Sequence, residues 1–188
     1  MARLDVLSDG FVDVDGGVTP GSIRVGSTVS LIRDGDLVAI VDPGMVTSRG
    51  AILDPLAALG VTVDDVTDVI ISHHHPDHTI NIALFPNVRI HDNWATYHHE
   101  EWVSRPAEGL QLSEGVRLIE TPGHTPQDIT TLVETDQGVA ALTHLWGYEG
   151  AGTDRLAADH GLLDENRLRV LDIATIIVPG HGPMYTVG

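Results

Sequence analysis

The sequence predicts a layered α/β domain. Three observations carry this: short β-branched runs closed by turns, two apolar stripes at helical spacing, and the order in which these occur. A block of strands comes first and strands interleaved with helices follow, the pattern of sheets covered by helices.

Taken in order, Val29–Ile32 and Leu37–Val41 flank Arg33-Asp34-Gly35-Asp36, where Asp34-Gly35 predicts a hairpin. Ile52, Leu53, Leu56 and Leu59 recur at helical spacing within Ser48–Leu59, and Gly60 stops that helix. Strands are expected at Val69–Ser72, Val88–His91, Val116–Glu120, Ile129–Glu134, Val139–Thr143 and Thr175–Val178. A second helix is expected over Leu163–Ile173, from the apolar Leu168, Val170, Leu171 and Ile173. No linker, low-complexity stretch or composition break divides the chain, so residues 1–188 are expected to form a single domain.

Composition narrows the chemistry. Cysteine is absent, which excludes disulfides, thiolate metal sites and a cysteine nucleophile. There are 27 acidic side chains against 10 basic ones, giving a net charge of −17, and every basic residue other than histidine is arginine. The acids are scattered rather than gathered in a block, which predicts a halophilic surface in preference to a basic partner. The charge also argues against a module that grips long nucleic acid. The start of the chain does not read as a secretory signal, and the apolar runs are too short to span a bilayer. The expectation is a cytoplasmic protein with no membrane contact, its oligomeric state left open.

Eleven histidines stand out, centred on Ser72-His73-His74-His75-Pro76-Asp77-His78 directly after a strand. In an extended segment alternate side chains share a side, so His73 and His75 can converge while His74 points away. Asp77 and His78 then fall at a helix start. Two later strands end in the same pattern, Pro122-Gly-His-Thr-Pro126 and Pro179-Gly-His-Gly-Pro183, and Leu37–Val41 ends in Asp42-Pro43-Gly44. Imidazole and carboxylate without thiolate suit zinc, with manganese or iron as other first-row choices. His91, His98, His99 and His160 read as surface residues, and each aromatic side chain reads first as core, although Trp146 and Tyr148 could wall a cleft.

The H-x-H-x-D-H block at 73–78, with Asp42, His124 and His181 at strand ends, resembles the metallo-β-lactamase superfamily. That resemblance implies a four-layer αββα sandwich with metals at one sheet edge. It implies that His73, His75 and His124 form a first metal site, that Asp77, His78 and His181 form a second, and that Asp42 orients ligands from behind. The expected activity is that of a zinc-dependent hydrolase, in which a zinc-activated hydroxide attacks an ester or phosphodiester and Asp77 holds the second metal or orients the nucleophile. Asp77-His78 is similar to the glyoxalase II and ribonuclease Z branches, whereas the absence of lysine departs from the cationic glutathione site of the former. The block through Leu84-Phe85-Pro86, with Thr121–Gln127, also resembles the small family of metallo-β-lactamase domain-containing protein 1, whose better-known member is linked to RNA cleavage. This points towards a nuclease-like phosphodiesterase, with a small molecule or a short nucleic acid as substrate.

One position departs from the family pattern. Dinuclear members bridge their metals with an aspartate, and the matching stretch Ala140–Trp146 carries His144 there. Two dications about 3.5 Å apart repel by on the order of 20 kcal/mol at an effective dielectric near 20, so losing an anionic bridge weakens the pair. His144 is therefore assigned to the metal shell and to catalysis with Asp77, over one ion or two. The alternative is a metal-binding protein of this fold with little or no turnover.

Overall fold

Period-two alternation along the strands decides how the layers assemble. The computed structural model describes residues 1–187. In chain order its elements are β1 (Arg3–Ser8), β2 (Phe11–Asp13), β3 (Arg24–Gly26), β4 (Val29–Asp34), β5 (Leu37–Val41), α1 (Gly50–Ala58), β6 (Asp68–Ile70) and α2 (Pro76–Thr79). There follow β7 (Arg89–His91), β8 (Ala95–His98), β9 (Glu101–Ser104), β10 (Gln111–Ser113), β11 (Val116–Glu120), β12 (Ile129–Thr135), β13 (Gly138–Thr143), α3 (His160–Leu171), β14 (Ile176–Pro179) and β15 (Tyr185–Thr186). One sheet has the order β1-β4-β5-β6-β7-β8-β9, a second has β10-β11-β12-β13-β14-β15, and β2-β3 form a separate ribbon.

Leu37, Ala39 and Val41 of β5 point to one side, where they meet Val116, Leu118, Ala140, Leu142, Ile176 and Val178 of the second sheet. Ile40, on the opposite face of β5, packs with Leu31, Val69 and the buried Ile52 and Leu56 of α1. On the far side of the second sheet, Ile119, Leu132, Ala141 and Ile177 meet Leu163 and Val170 of α3. Three apolar layers thus separate helix, sheet, sheet and helix, the αββα order expected. Burying a side chain such as Leu56 stabilises this arrangement by roughly 1.5–3 kcal/mol.

Strand direction then places the site. β5, β6 and β7 run parallel, with α1 and α2 as the connections. β11 and β13 are both antiparallel to β12, and β14 is parallel to β13, so β11, β13 and β14 point one way. The C-terminal ends of parallel strands lie together, which is why Asp42, His73, His124, His144 and His181 can meet although they span most of the chain.

The expected hairpin is present, with Asp34 opposite Leu37 and Gly35 at φ +61°. Gly60, at φ +74°, follows the end of α1 as expected. Some expectations need correcting. Leu168 and Leu171 of α3 face solvent, because the helix buries only the stripe through Leu163, Asn166 and Val170. Trp94 and Trp102 are exposed near the β8–β9 edge rather than in the core. His91 is buried rather than on the surface: Asp68, beneath it in the neighbouring parallel strand, accepts a 2.7 Å hydrogen bond from its Nε2. Among the described residues no helix is long and apolar enough to cross a membrane.

Candidate metal centre

At the end of β5 the chain turns left-handed at Asp42, φ +50°, a conformation that a short polar side chain tolerates. The turn brings the carboxylate back to the end of β6. There Oδ1 accepts from the Ser72 N–H at 2.7 Å and Oδ2 from the Ser72 hydroxyl at 2.6 Å. Oδ2 also lies 2.9 Å from His78 Nδ1. His75 precedes α2 in an extended conformation and Pro76 opens the helix, so Asp77 and His78 sit in its first turn, as expected. His124, His144 and His181 follow β11, β13 and β14. Gly180 lets the last two approach, since a Cβ there would lie 2.5 Å from His144 Cδ2.

The outer partners of the rings fix their tautomers, because a carboxylate or a carbonyl can only accept. His78 Nδ1 donates to Asp42 Oδ2, His124 Nδ1 to Asp154 Oδ2 at 2.6 Å, and His181 Nδ1 to the Gly26 carbonyl at 3.0 Å. The Ser72 hydroxyl gives its proton to Asp42, so at 3.0 Å it accepts from His73 Nδ1. All four rings are thereby left with a bare Nε2 lone pair directed inward.

These lone pairs crowd one another. His75 Nδ1 lies 3.0 Å from His73 Nε2 and 3.1 Å from His124 Nε2, and His144 Nε2 lies 3.0 Å from His181 Nε2. Asp77 Oδ2 is 3.6 Å from both His78 Nε2 and His181 Nε2. His78 Nε2 and His144 Nδ1 are buried with no hydrogen-bond partner among the described residues. Burial first, and then neighbouring imidazoles, push His73, His75, His144 and His181 below the usual histidine range, so these rings are neutral at physiological pH. Converging ring nitrogens with one carboxylate among them can hold a cation. The residues fit a metal.

Two of the groupings that could hold an ion are the expected ones, His73, His75 and His124 in one and Asp77, His78 and His181 in the other. His144 joins both halves. It groups with His73 and His78, and separately with His124 and Asp154. Every expected site residue is therefore brought together, with Asp42 behind the ligands. His74 points away, as alternation requires, and its ring pairs with buried Asp92 at 3.1 Å.

Asp154, the Ser72 hydroxyl and the Gly26 carbonyl were not foreseen as orienting groups. Asp154 lies in an irregular glycine-containing loop, where no spacing rule marks an acid as a ring's partner. Ser72 precedes His73 and carried a signal only through that position. Burial works against the charge of Asp154, but hydrogen bonds from the Leu156 N–H and His124 outweigh it and hold the carboxyl below its usual range. Tyr148 lines the cleft above the centre, whereas Trp146 packs beside the third core with the Arg167 guanidinium 5.7 Å from its ring centroid.

Comparison with known proteins bears on the family and the fold. Residues 23–187 match the Metallo-beta-lactamase superfamily. The chain is 34% identical over 192 residues to metallo-beta-lactamase domain-containing protein 1 of Xenopus laevis, covering 97% of this chain and 80% of that protein. It spans only 59% of the Homo sapiens protein of the same name, at 32% identity. Among solved structures, a Thermotoga maritima protein described as a candidate metallo-beta-lactamase superposes with a TM-score of 0.75 at 22% identity, over 99% of both chains. An N-acyl homoserine lactone hydrolase with product at its catalytic metal centre gives 0.67 at 22% identity, over 96% of this chain and 92% of that one. These structural likenesses support the fold, and the sequence matches settle the family: the chain belongs to the metallo-beta-lactamase superfamily.

Proposed function

We propose that this protein is a metal-dependent hydrolase that directs water onto an ester or phosphodiester bond, with zinc as its resident ion. The observation that supports this is the set of four imidazoles whose Nδ1 is committed outward, leaving each Nε2 to one of the two triads. Zinc bound among such nitrogens supplies Lewis-acid polarisation and brings water to a pKa near 7.

The chain's own groups divide the remaining work. His73, His75 and His124 offer three ring nitrogens, whereas His78 and His181 are joined by the carboxylate of Asp77. Asp77 Oδ2, 3.6 Å from two ligand nitrogens, orients incoming water and takes up its proton. Asp42 and Asp154 hold their rings in one tautomer and raise the basicity of the inward nitrogens. His144 lies at the seam between the triads and keeps Nδ1 free of other partners.

The test is metal content by inductively coupled plasma mass spectrometry on protein purified without added metal. A hydrolysis screen over ester, thioester, lactone and phosphodiester substrates accompanies it. One or two equivalents of zinc, with activity at least about 100-fold lower in His124→Ala, is the expected result. Metal-free protein, or equal rates in both forms, overturns the proposal.

One observation favours a second reading, a metal-binding protein with little turnover. Among the described residues no carboxylate is shared by the two triads, and His144 stands between them. On that reading His144→Asp creates hydrolysis that the wild type lacks; on the leading one the wild type is already active.

A further inference from the structure

The cleft above the triads is about 600 Å³ and has an unusual wall for a chain with so few aromatic and basic residues. Its floor includes His75, Asp77, His124, His144 and His181. One wall comes from the β2–β3 ribbon, through Val12 and Val25, and from Val14 and Ile23 just beyond its strands; Tyr148 and Leu156 line it from the loop after β13. Val14, Ile23, Tyr148 and Leu156 are each more than half exposed, at 67%, 52%, 51% and 78%. Five of the sixteen large apolar side chains left exposed among the described residues line this one cleft. Such clustering is uncommon on a soluble surface, and here it is continuous with the metal centre.

The charges point the same way. Two arginines line the cleft. Arg167 is already engaged, donating to the Leu145 carbonyl at 2.8 Å and lying over Trp146. Arg155 is the other, and the acidic Asp77 and Asp154 line the same cleft in a chain of net charge −17. A polyanion binds by neutralising several phosphates at once, and this wall offers one uncommitted cation. An apolar chain ending in a carboxylic ester meets no such penalty.

Building on the hydrolase proposed above, the geometry points to a neutral carboxylic ester or lactone with an alkyl or acyl chain as substrate. That chain lies between the β2–β3 ribbon and Leu156, and the carbonyl stands over the triads. Hydrolysis adds water across the acyl–oxygen bond: the hydroxyl goes to the carbonyl carbon, the proton to the leaving alkoxide, and the carboxylic acid loses its proton to solvent.

Binding of the product class tests this independently of turnover. Zinc-loaded protein is titrated by calorimetry with sodium butyrate, hexanoate, octanoate and decanoate, and with a hexanucleotide. Hydrolysis of the matching p-nitrophenyl esters is followed in parallel. Affinity is expected to rise by up to about fourfold per methylene until the wall is covered, and Val14→Asp with Leu156→Asp should flatten the series. Both positions are exposed, and circular dichroism checks that the variant folds. A flat wild-type series, a wild-type slope in the double variant, or tighter binding of the hexanucleotide overturns the inference. A graded binding series with no ester hydrolysed supports the apolar subsite and overturns the hydrolase proposal instead.

Discussion

At the edge of the first sheet, four donors come from one six-residue stretch, His73 to His78, whereas the second sheet supplies His124, His144 and His181 one per strand. The bracing differs accordingly. Asp42 alone accepts from the Ser72 N–H, the Ser72 hydroxyl and His78, and through that hydroxyl it also fixes His73. One buried carboxylate thus positions a ligand in each triad. On the other edge two rings have supports of their own, Asp154 for His124 and the Gly26 carbonyl for His181, while His144 Nδ1 has none among the described residues. A contiguous block lets one residue orient several ligands, while ligands on separate strands depend on what each strand end happens to meet.

The largest effect expected from this contrast is that of Asp42→Ala. It leaves the Ser72 N–H, its hydroxyl and His78 Nδ1 without their acceptor inside the protein. Buried unsatisfied groups cost about 1–3 kcal/mol each, so metal-free protein should lose about 3 kcal/mol in urea unfolding. Zinc affinity should fall by about 100-fold at both triads together. Loss at one triad with the other intact would break the idea of a single shared brace.

The same contrast explains how much of the molecule the sequence revealed. The helix and hairpin signals came from patterns within a dozen residues, and so did the ligand block at 73–78. His124 and His181 were recognisable because each stands in the same strand-end pattern, Pro-Gly-His-x-Pro. Asp154 and Gly26 were not, because their roles depend on where the loop and the ribbon settle in three dimensions. His91 misled for a related reason. Read alone it is a strand-end histidine; its burial follows from the parallel pairing of β6 with β7, which sets Asp68 in reach of both Arg89 and His91.

That Asp68 cluster gives the next prediction, confined to the first sheet. Burial works to raise the Asp68 carboxyl, but hydrogen bonds from His91, Arg89 and Thr67 outweigh it and hold it at about 2. Its folded-state pKa is depressed, so the stability it contributes is present above about pH 4 and is lost as pH falls towards 2. The contribution is up to about 2 kcal/mol. The gap in urea midpoint between wild type and Asp68→Asn should be open at pH 6 and narrow between pH 4 and pH 2. A gap that stays constant over that range would show that Asp68 acts by shape and not by charge.

The smallest effect belongs to Asp154, and it isolates the second sheet's way of holding a ligand. The carboxylate is partly exposed on its loop and contacts only one ring, that of His124, and an Asn amide oxygen in its place can still accept the Nδ1–H, without the charge. Asp154→Asn should lower zinc affinity at the first triad by about tenfold, which corresponds to about 1.4 kcal/mol. The triad of Asp77, His78 and His181 should be untouched, and metal-free stability should be nearly unchanged. Competition against a chromophoric chelator resolves the two classes of site. Equal weakening of both triads would mean that the edges are coupled through the ring stack around His144, whose centroid lies 4.1 Å from that of His124 and 4.9 Å from that of His181. The separately braced edge would then be as cooperative as the block that Asp42 holds.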